Sequence, residues 1–396
     1  MATPVTYDVI VLGLGAMGSS ALDHLARRGV RVLGLERFGI PHEHGSSGGD
    51  TRLIRKAYFE HPDYVPLLHR AYANWADLEA RCGAQVLHLT GTVYIGRPDC
   101  ELLAGSRASA REHDLACEEL TERDVARRWP VLRVPAGCEA LHEPQAGFLL
   151  SGESIRLYCE SAVRNRAQIR TGEPVLEWRE TAAGIEVVTP MQTYRAARLV
   201  ITAGSWAGAL LPRLPTRLEV TRQALFWLWP TPTEPFQLAT FPCWAAQVDG
   251  HAGLFYGVPM LPSGIGGQRG MKIAHHLAGP SAEPGRMTSV GAAEFDSIRA
   301  ALASIFVPGL GPVVATKACM YTSTTDQHFI VDRYPDSERV MIACGFSGHG
   351  FKFASVIGEA LADLSLDGRT ALPIGFLSLD RFRSGTASRV RERSTK

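Results

Sequence analysis

With 396 residues, 45% of them hydrophobic, the chain is long enough for two lobes with large cores rather than one small domain. A formal net charge of +1 excludes the strongly basic balance expected of a nucleic-acid or anionic-membrane binder. No run approaches the ~18 apolar residues of a membrane helix.

Residues 7–12 (Tyr-Asp-Val-Ile-Val-Leu) read as a buried parallel strand. A Gly-rich turn, a helix from about Met17 to Arg28, the stop at Gly29 and a second strand over Val30–Leu35 complete a βαβ unit. Arg37 to Asp50, rich in Gly, Ser, His and Pro, reads as an extended loop, and Tyr64 to Gly83 has the apolar spacing of a helix. Residues 84–98 and 218–275 hold short strands punctuated by Pro and Gly, the pattern of a mostly antiparallel sheet. Arg198–Gly204 and Val340–Gly345 again read as buried strands, the latter leading to a helix over about Phe353–Leu366. The Arg-rich tail from Ser384, with Arg389, Arg391 and Arg393, reads as a solvated end. The eight cysteines (Cys82, Cys100, Cys117, Cys138, Cys159, Cys243, Cys319 and Cys344) form no CxxC pair and suggest neither a disulfide frame nor a metal site. With no signal peptide and no peroxisomal tripeptide at Ser394-Thr395-Lys396, a reducing cytoplasm is the expected compartment.

The segment Gly13-Leu-Gly15-Ala-Met-Gly18 matches GxGxxG, follows a strand, opens a helix and is followed by Glu36 at the end of the next strand. Gly13 allows the tight turn, Gly15 lets backbone approach a pyrophosphate, and Gly18 lets helix and strand pack closely. The helix N-terminus supplies free N–H groups to the phosphates. Glu36 can accept from ribose hydroxyls, and its charge argues against a 2′-phosphate. A dinucleotide is therefore expected. FAD is favoured over NAD because the motif starts within the first fifteen residues and a second Gly-rich turn follows a strand near the far end. That second turn, Gly345-Phe-Ser-Gly348-His-Gly350-Phe-Lys352, would place N–H groups against the N1–O2 edge of a reduced flavin, with Lys352 as a mobile cation nearby. By pattern alone Cys319 is a small buried hydrophobe.

Six ordered segments together resemble the monomeric sarcosine oxidase family, which includes N-methyltryptophan and pipecolate oxidases. They are Asp8-Val-Ile-Val-Leu-Gly-Leu-Gly15, Gly49-Asp-Thr-Arg-Leu-Ile-Arg55, Lys272-Ile-Ala-His-His276, Cys319-Met-Tyr321, Asp326-Gln-His-Phe-Ile-Val-Asp332 and Gly345–Lys352. The resemblance spans about Asp8 to Phe382. It implies a two-lobed α/β fold: a Rossmann-type FAD-binding lobe and a discontinuous substrate lobe built on an antiparallel sheet. The expected division is 1–83, 145–215 and 319–383 for the FAD lobe, 84–144 and 216–318 for the substrate lobe, and 384–396 for the tail.

The resemblance also implies roles. Cys319 matches the cysteine joined by a thioether to the flavin. Arg55 and Lys352 match the pair that holds a substrate carboxylate, which suits a planar fork and a point charge. Lys272 matches a lysine that activates oxygen, and Arg52 a residue beside the isoalloxazine. Tyr256, His276 and Tyr321 match cavity-lining residues, while His275 reads as structural. Further FAD contacts are expected from Ala16, Met17, Arg37, Ser46, Thr51, Val175, Gly348 and Gly350. Two departures stand out: Ser47-Gly48 replaces a His-His pair of small-substrate members, and Ala245 replaces a bulkier Met, which implies a roomier pocket. The expected activity is oxidation of an N-methyl or other secondary amino acid larger than sarcosine to an imine by a monomeric enzyme, with O2 as acceptor and H2O2 as product. Rival readings are a cyclic imino acid oxidase such as one for pipecolate, a flavin dehydrogenase with another acceptor, and a non-catalytic flavin-binding module.

Overall fold

The computed structural model describes residues 6–383 except 266, 287 and 308; the tail expected from 384 onward lies outside the described residues. Thr6–Leu12, the helix Ala16–Arg27 and Val32–Leu35 form the N-terminal βαβ unit, its two strands parallel. The other edge of Thr6–Leu12 pairs in parallel with Thr193–Ile201. That nine-residue strand serves two neighbours on its far side. Residues 193–196 meet Gly184–Val188 antiparallel, and residues 199–201 meet Val340–Cys344 in parallel. Glu177–Thr181, Gln168–Arg170 and Ile330–Arg333 complete an eight-stranded sheet. Its central strands are buried on both faces, which is why they read as unbroken apolar runs. The helix Ala354–Asp367 crosses Ala16–Arg27 closely, because a Cβ on Gly358 would lie 2.2 Å from Ser20 Oγ.

The second sheet also has eight strands. In spatial order they are Val313–Ser323, Glu219–Leu228, Met271–His276, Leu254–Val258, Cys243–Ala246, Thr92–Gly96, Glu139–Glu143 and Glu118–Leu120. All neighbours are antiparallel except Cys243–Ala246 with Thr92–Gly96. The lobe boundary expected at 318/319 falls inside the strand Val313–Ser323, which pairs along its length with Glu219–Leu228. Strand alternation divides the two faces. Phe226, Leu228, Met271, Ile273 and Phe255 pack into one core with Phe295, Ile298 and Leu302. Leu225, Trp227, Ala274 and Cys319 cluster on the opposite face, with Tyr256 against them. A short sheet of Thr51–Ile54, Gly147–Leu150 and Leu87–His88 lies apart from the two large ones. Among the described residues, no helix is long and apolar enough to cross a membrane.

Candidate active site

Two adjoining cavities hold most of the expected site residues. The larger, about 310 Å³, is lined by Gly13, Gly15, Ala16, Met17, Glu36, Arg37, Ser46, Arg52, Val175, Gly348 and Gly350. The smaller, about 50 Å³, is lined by Arg55, Glu60, Ala245, Tyr256, His276, Tyr321, His349 and Lys352 among others. Arg52, Tyr321, Gly348 and Phe351 belong to both walls.

The glycines show that the larger cavity suits a dinucleotide. Gly13 has φ +87°, and a Cβ there would lie 2.7 Å from the Thr202 carbonyl oxygen; one on Gly18 would lie 1.8 Å from that of Gly13. Chain packing explains both residues. It does not explain Gly15, whose Cβ would meet nothing nearer than Ser47 Oγ at 3.8 Å. The missing side chain at Gly15 leaves open the cavity wall at the start of a helix that no side chain caps and whose first turn has no acidic residue. This is the arrangement in which free N–H groups take up a pyrophosphate.

Glu36 sits at the same end, but part of its work is internal. Its oxygens accept from the backbone N–H groups of Leu14 (2.8 Å) and Phe38 (2.9 Å), and His42 Nε2 is 3.4 Å away. Burial would raise its pKa, yet His42 and the two N–H groups hold it below the ordinary value. A second buried carboxylate, Glu173, lines this end and accepts from Thr189 (2.6 Å) and Tyr194 (2.9 Å); no sequence pattern singled it out. Arg37 lies over the rings of Phe38 and Trp206 at 5.6 and 5.5 Å.

At the other end, Arg52 ties a loop to the second sheet. Its guanidinium donates to the carbonyls of Thr51 (2.8 Å), Ser46 (2.8 Å) and Gly48, and its Nη2 is 3.4 Å from Cys319 Sγ. Cys319 is buried behind this wall rather than on it. Thr51 and Lys272 also stand off both cavities. Lys272 Nζ donates to the Gly49 carbonyl (2.6 Å) and the Thr51 carbonyl (2.7 Å), with Thr51 Oγ1 at 3.4 Å. A buried ammonium needs such acceptors; burial, with Arg52 nearby, pushes its pKa well down. The expected His-His place is filled differently: a Cβ on Gly48 would lie 2.5 Å from Glu43 Oε2, which accepts from Gly49 N (3.0 Å).

In the smaller cavity, Arg55 follows the strand Thr51–Ile54, and the next turn is held by Glu143, which accepts from Lys56 N (2.6 Å), Ala57 N (3.3 Å) and the Tyr94 hydroxyl (2.7 Å). Arg55 Nη2 donates to both Glu60 oxygens at 2.7 and 2.9 Å, whereas its buried Nε has no partner. Burial would raise the Glu60 carboxyl, but Arg55 first, then His349 and Lys352, hold it down at about 2. The expectation of a mobile Lys352 is corrected: it is 4% exposed, flanked by Phe351 and Phe353, and its Nζ donates to the His349 carbonyl at 2.7 Å. Opposite, His276 Nδ1 is 3.0 Å from the Tyr321 hydroxyl, and burial draws the imidazole down to about 4. Tyr321 packs on Gly348, where a Cβ would come within 2.4 Å of the ring. Tyr256 stands in register between Ala245 and Ala274. His275 faces away, stacked on Phe255 at 4.3 Å with Nε2 2.8 Å from the Ala252 carbonyl.

Glu60, Tyr58 and His349 were missed as site residues. Glu60 lies five residues from Arg55 in a loop without periodicity. His349 sits inside the quoted Gly345–Lys352 segment, but nothing in the pattern distinguishes its ring from a structural one.

Comparison with known proteins gives consistent results. The family profile described as FAD dependent oxidoreductase matches residues 8–364. Monomeric sarcosine oxidase of Streptomyces avermitilis is 39% identical over 388 residues, covering 96% of this chain and 99% of that protein. N-methyl-L-tryptophan oxidase of Yersinia pestis is 34% identical over 385 residues, covering 95% and 100%. Among solved structures, NikD, described as an unusual amino acid oxidase essential for nikkomycin biosynthesis, superposes with a TM-score of 0.81 at 25% identity, covering 95% and 98%. L-proline dehydrogenase from P. horikoshii shares the fold, with a TM-score of 0.79 at 20% identity over 97% and 99%.

Proposed function

The chain belongs to the FAD dependent oxidoreductase family, related to the sarcosine and N-methyltryptophan oxidases, and on that premise we propose that it is a monomeric cytoplasmic oxidase of a secondary amino acid larger than sarcosine. The observation that carries this reading is the convergence of Arg55 and Lys352 on a small cavity that shares a wall with the dinucleotide cavity.

The residues that would hold FAD are Gly13 to Met17 at the pyrophosphate, Glu36, Arg37 and Val175 toward the adenosine, and Ser46, Arg52, Gly348 and Gly350 toward the ring; a covalent link would come from Cys319, whose Sγ lies 3.4 Å from Arg52 Nη2 behind that wall. When bound, FAD supplies the acceptor for the electron pair of an amine C–H bond and delivers it to O2, which leaves as H2O2.

The chain's own groups do the rest. Arg55 and Lys352 bind the substrate carboxylate by charge-assisted hydrogen bonds. An incoming carboxylate competes with Glu60 for Arg55 Nη2. Two fixed cations orient the bound amino acid, so binding rather than chance sets the C–H bond's direction. The His276–Tyr321 pair stays neutral because both are buried, and a neutral wall favours an uncharged amine over an ammonium. Ala245, a methyl beside Tyr256, supports room for a side chain or N-substituent beyond sarcosine. Lys272 pins the Gly49–Thr51 carbonyls from which Arg52 projects, and we assign it the handling of oxygen on that side.

A peroxide assay across N-methyl and cyclic amino acids tests the proposal. The expected result is turnover of a secondary amino acid larger than sarcosine, with none of the matching amino amides. Turnover of the amides at equal efficiency, or none of any amino acid, would remove the carboxylate site.

A further inference from the structure

The segment Asp326–Asp332 carries no part of the chemistry above, yet it reaches the Lys352 wall through a backbone carbonyl. His349 Nε2 lies 3.0 Å from the Gln327 carbonyl oxygen, and His349 Nδ1 lies 2.5 Å from the Tyr58 hydroxyl. A carbonyl can only accept, so the ring proton is on Nε2 and Nδ1 is left as an acceptor. The Tyr58 hydroxyl therefore donates to His349. Lys352 Nζ donates to the His349 carbonyl at 2.7 Å and stands 3.5 Å from the Tyr58 hydroxyl. An ammonium only donates, so Tyr58 can face it with a lone pair only while the phenol proton points at His349. The other acceptor open to that proton, the His349 carbonyl, is farther away, at 3.4 Å against 2.5 Å for Nδ1.

We propose that His349 is a positioning residue for Lys352: its tautomer, set by the Gln327 carbonyl, turns a Tyr58 lone pair toward Nζ, leaving one ammonium N–H for a carboxylate in the cavity. The inference rests on the reading of that cavity as the substrate carboxylate site. The chain runs Lys352 to Tyr58 to His349 to Gln327, each group donating to the next. A second proton on His349 would make both ring nitrogens donors and turn the phenol proton toward Lys352. Burial opposes that state and draws the imidazole down to about 3, so the ring stays neutral. The other charged and titratable groups at this wall are Arg52, Arg55, Glu60, Tyr64, Tyr256, His276 and Tyr321, with Glu60 Oε1 4.0 Å from His349 Nδ1, beyond hydrogen-bond reach. Burial, then Arg55, push the Lys352 pKa well down, and the Glu60 carboxylate opposes them in favour of the ammonium.

The test uses flavin-loaded protein titrated with acetate and with acetamide, followed by flavin absorbance. Wild-type protein is expected to prefer acetate. Tyr58→Phe keeps the ring that Lys352 Nζ overlies at 4.9 Å and removes only the hydroxyl. It and His349→Phe should each weaken acetate roughly tenfold, the size of one hydrogen bond to a charged group, and leave acetamide unmoved. His349→Asn, with an amide oxygen near the place of Nδ1, should recover most of the loss. The double variant Tyr58→Phe/His349→Phe should be no weaker than either single one, because both cut the same chain. Wild-type preference for acetate together with unchanged preference in Tyr58→Phe overturns this inference alone. Multiplied losses in the double variant do the same. A wild type that does not distinguish acetate from acetamide overturns the carboxylate site and this inference with it. If His349→Phe does not load flavin, Tyr58→Phe alone decides.

Discussion

Replacing Gly15 by alanine separates what the fold needs from what the cofactor needs. Gly15 has φ −69° and ψ −158°, a conformation open to any L-residue. The added methyl would sit 3.8 Å from Ser47 Oγ, an ordinary contact. The apoprotein should therefore keep its stability or gain up to about 1 kcal/mol from a stiffer unfolded chain. Gly18→Ala is the contrast: its Cβ would lie 1.8 Å from the Gly13 carbonyl oxygen and 2.5 Å from Thr202 Oγ1. Helix and strand must part there, and such overpacking costs about 1–3 kcal/mol. Thermal melts of both apoproteins with and without FAD give the readout. At a hundred times its Kd, FAD should stabilise the wild type by about 2.7 kcal/mol. If the methyl added by Gly15→Ala weakens binding a hundredfold, that gain falls to about 0.4 kcal/mol. A Gly15→Ala apoprotein that melts as low as Gly18→Ala, or one that FAD stabilises as much as wild type, would refute this division of roles.

Two further substitutions probe the smaller cavity and its neighbour. Glu60→Gln removes the charge paired with Arg55 at 2.7 Å. Two like charges ~4 Å apart at an effective dielectric of ~20 repel by about 4 kcal/mol, so carboxylate ligands should bind at least roughly tenfold tighter, read by absorbance titration; equal or weaker binding shows that Glu60 does not compete. Lys272→Met should slow oxygen-dependent recovery of flavin colour by roughly a hundredfold, the scale of losing one preorganised charge. Its anaerobic bleaching by substrate should change far less, and stopped-flow traces showing equal slowing of both halves would reduce Lys272 to a loop anchor.

The N-terminal unit was legible because its signals are local: an apolar strand, a Gly-rich turn, a helix and a carboxylate in one short stretch. The second sheet was legible in part, as short strands punctuated by Pro and Gly, but its edge strand Val313–Ser323, which carries Cys319 and Tyr321, was not read as part of it. Register was not legible. Tyr256 meets Ala245 and Ala274 through pairings that no spacing reveals. Burial of charge was harder still. Lys352 read as a mobile cation, although the aromatic residues on either side of it in the chain were a signal of enclosure. Glu36 read as a ribose acceptor, whereas its oxygens also fasten Leu14 and Phe38. Glu60 had no signal at all, since an acid five residues from its arginine in an aperiodic loop matches no pattern.

The most direct test mixes the purified yellow protein with a secondary amino acid in the absence of oxygen, then admits air. Flavin absorbance should fall on mixing and return with air, with one H2O2 formed for each substrate consumed. A colourless protein, colour unmoved by every amino acid tried, or a bleached state that air does not restore would contradict an oxidase built on this pair of cavities.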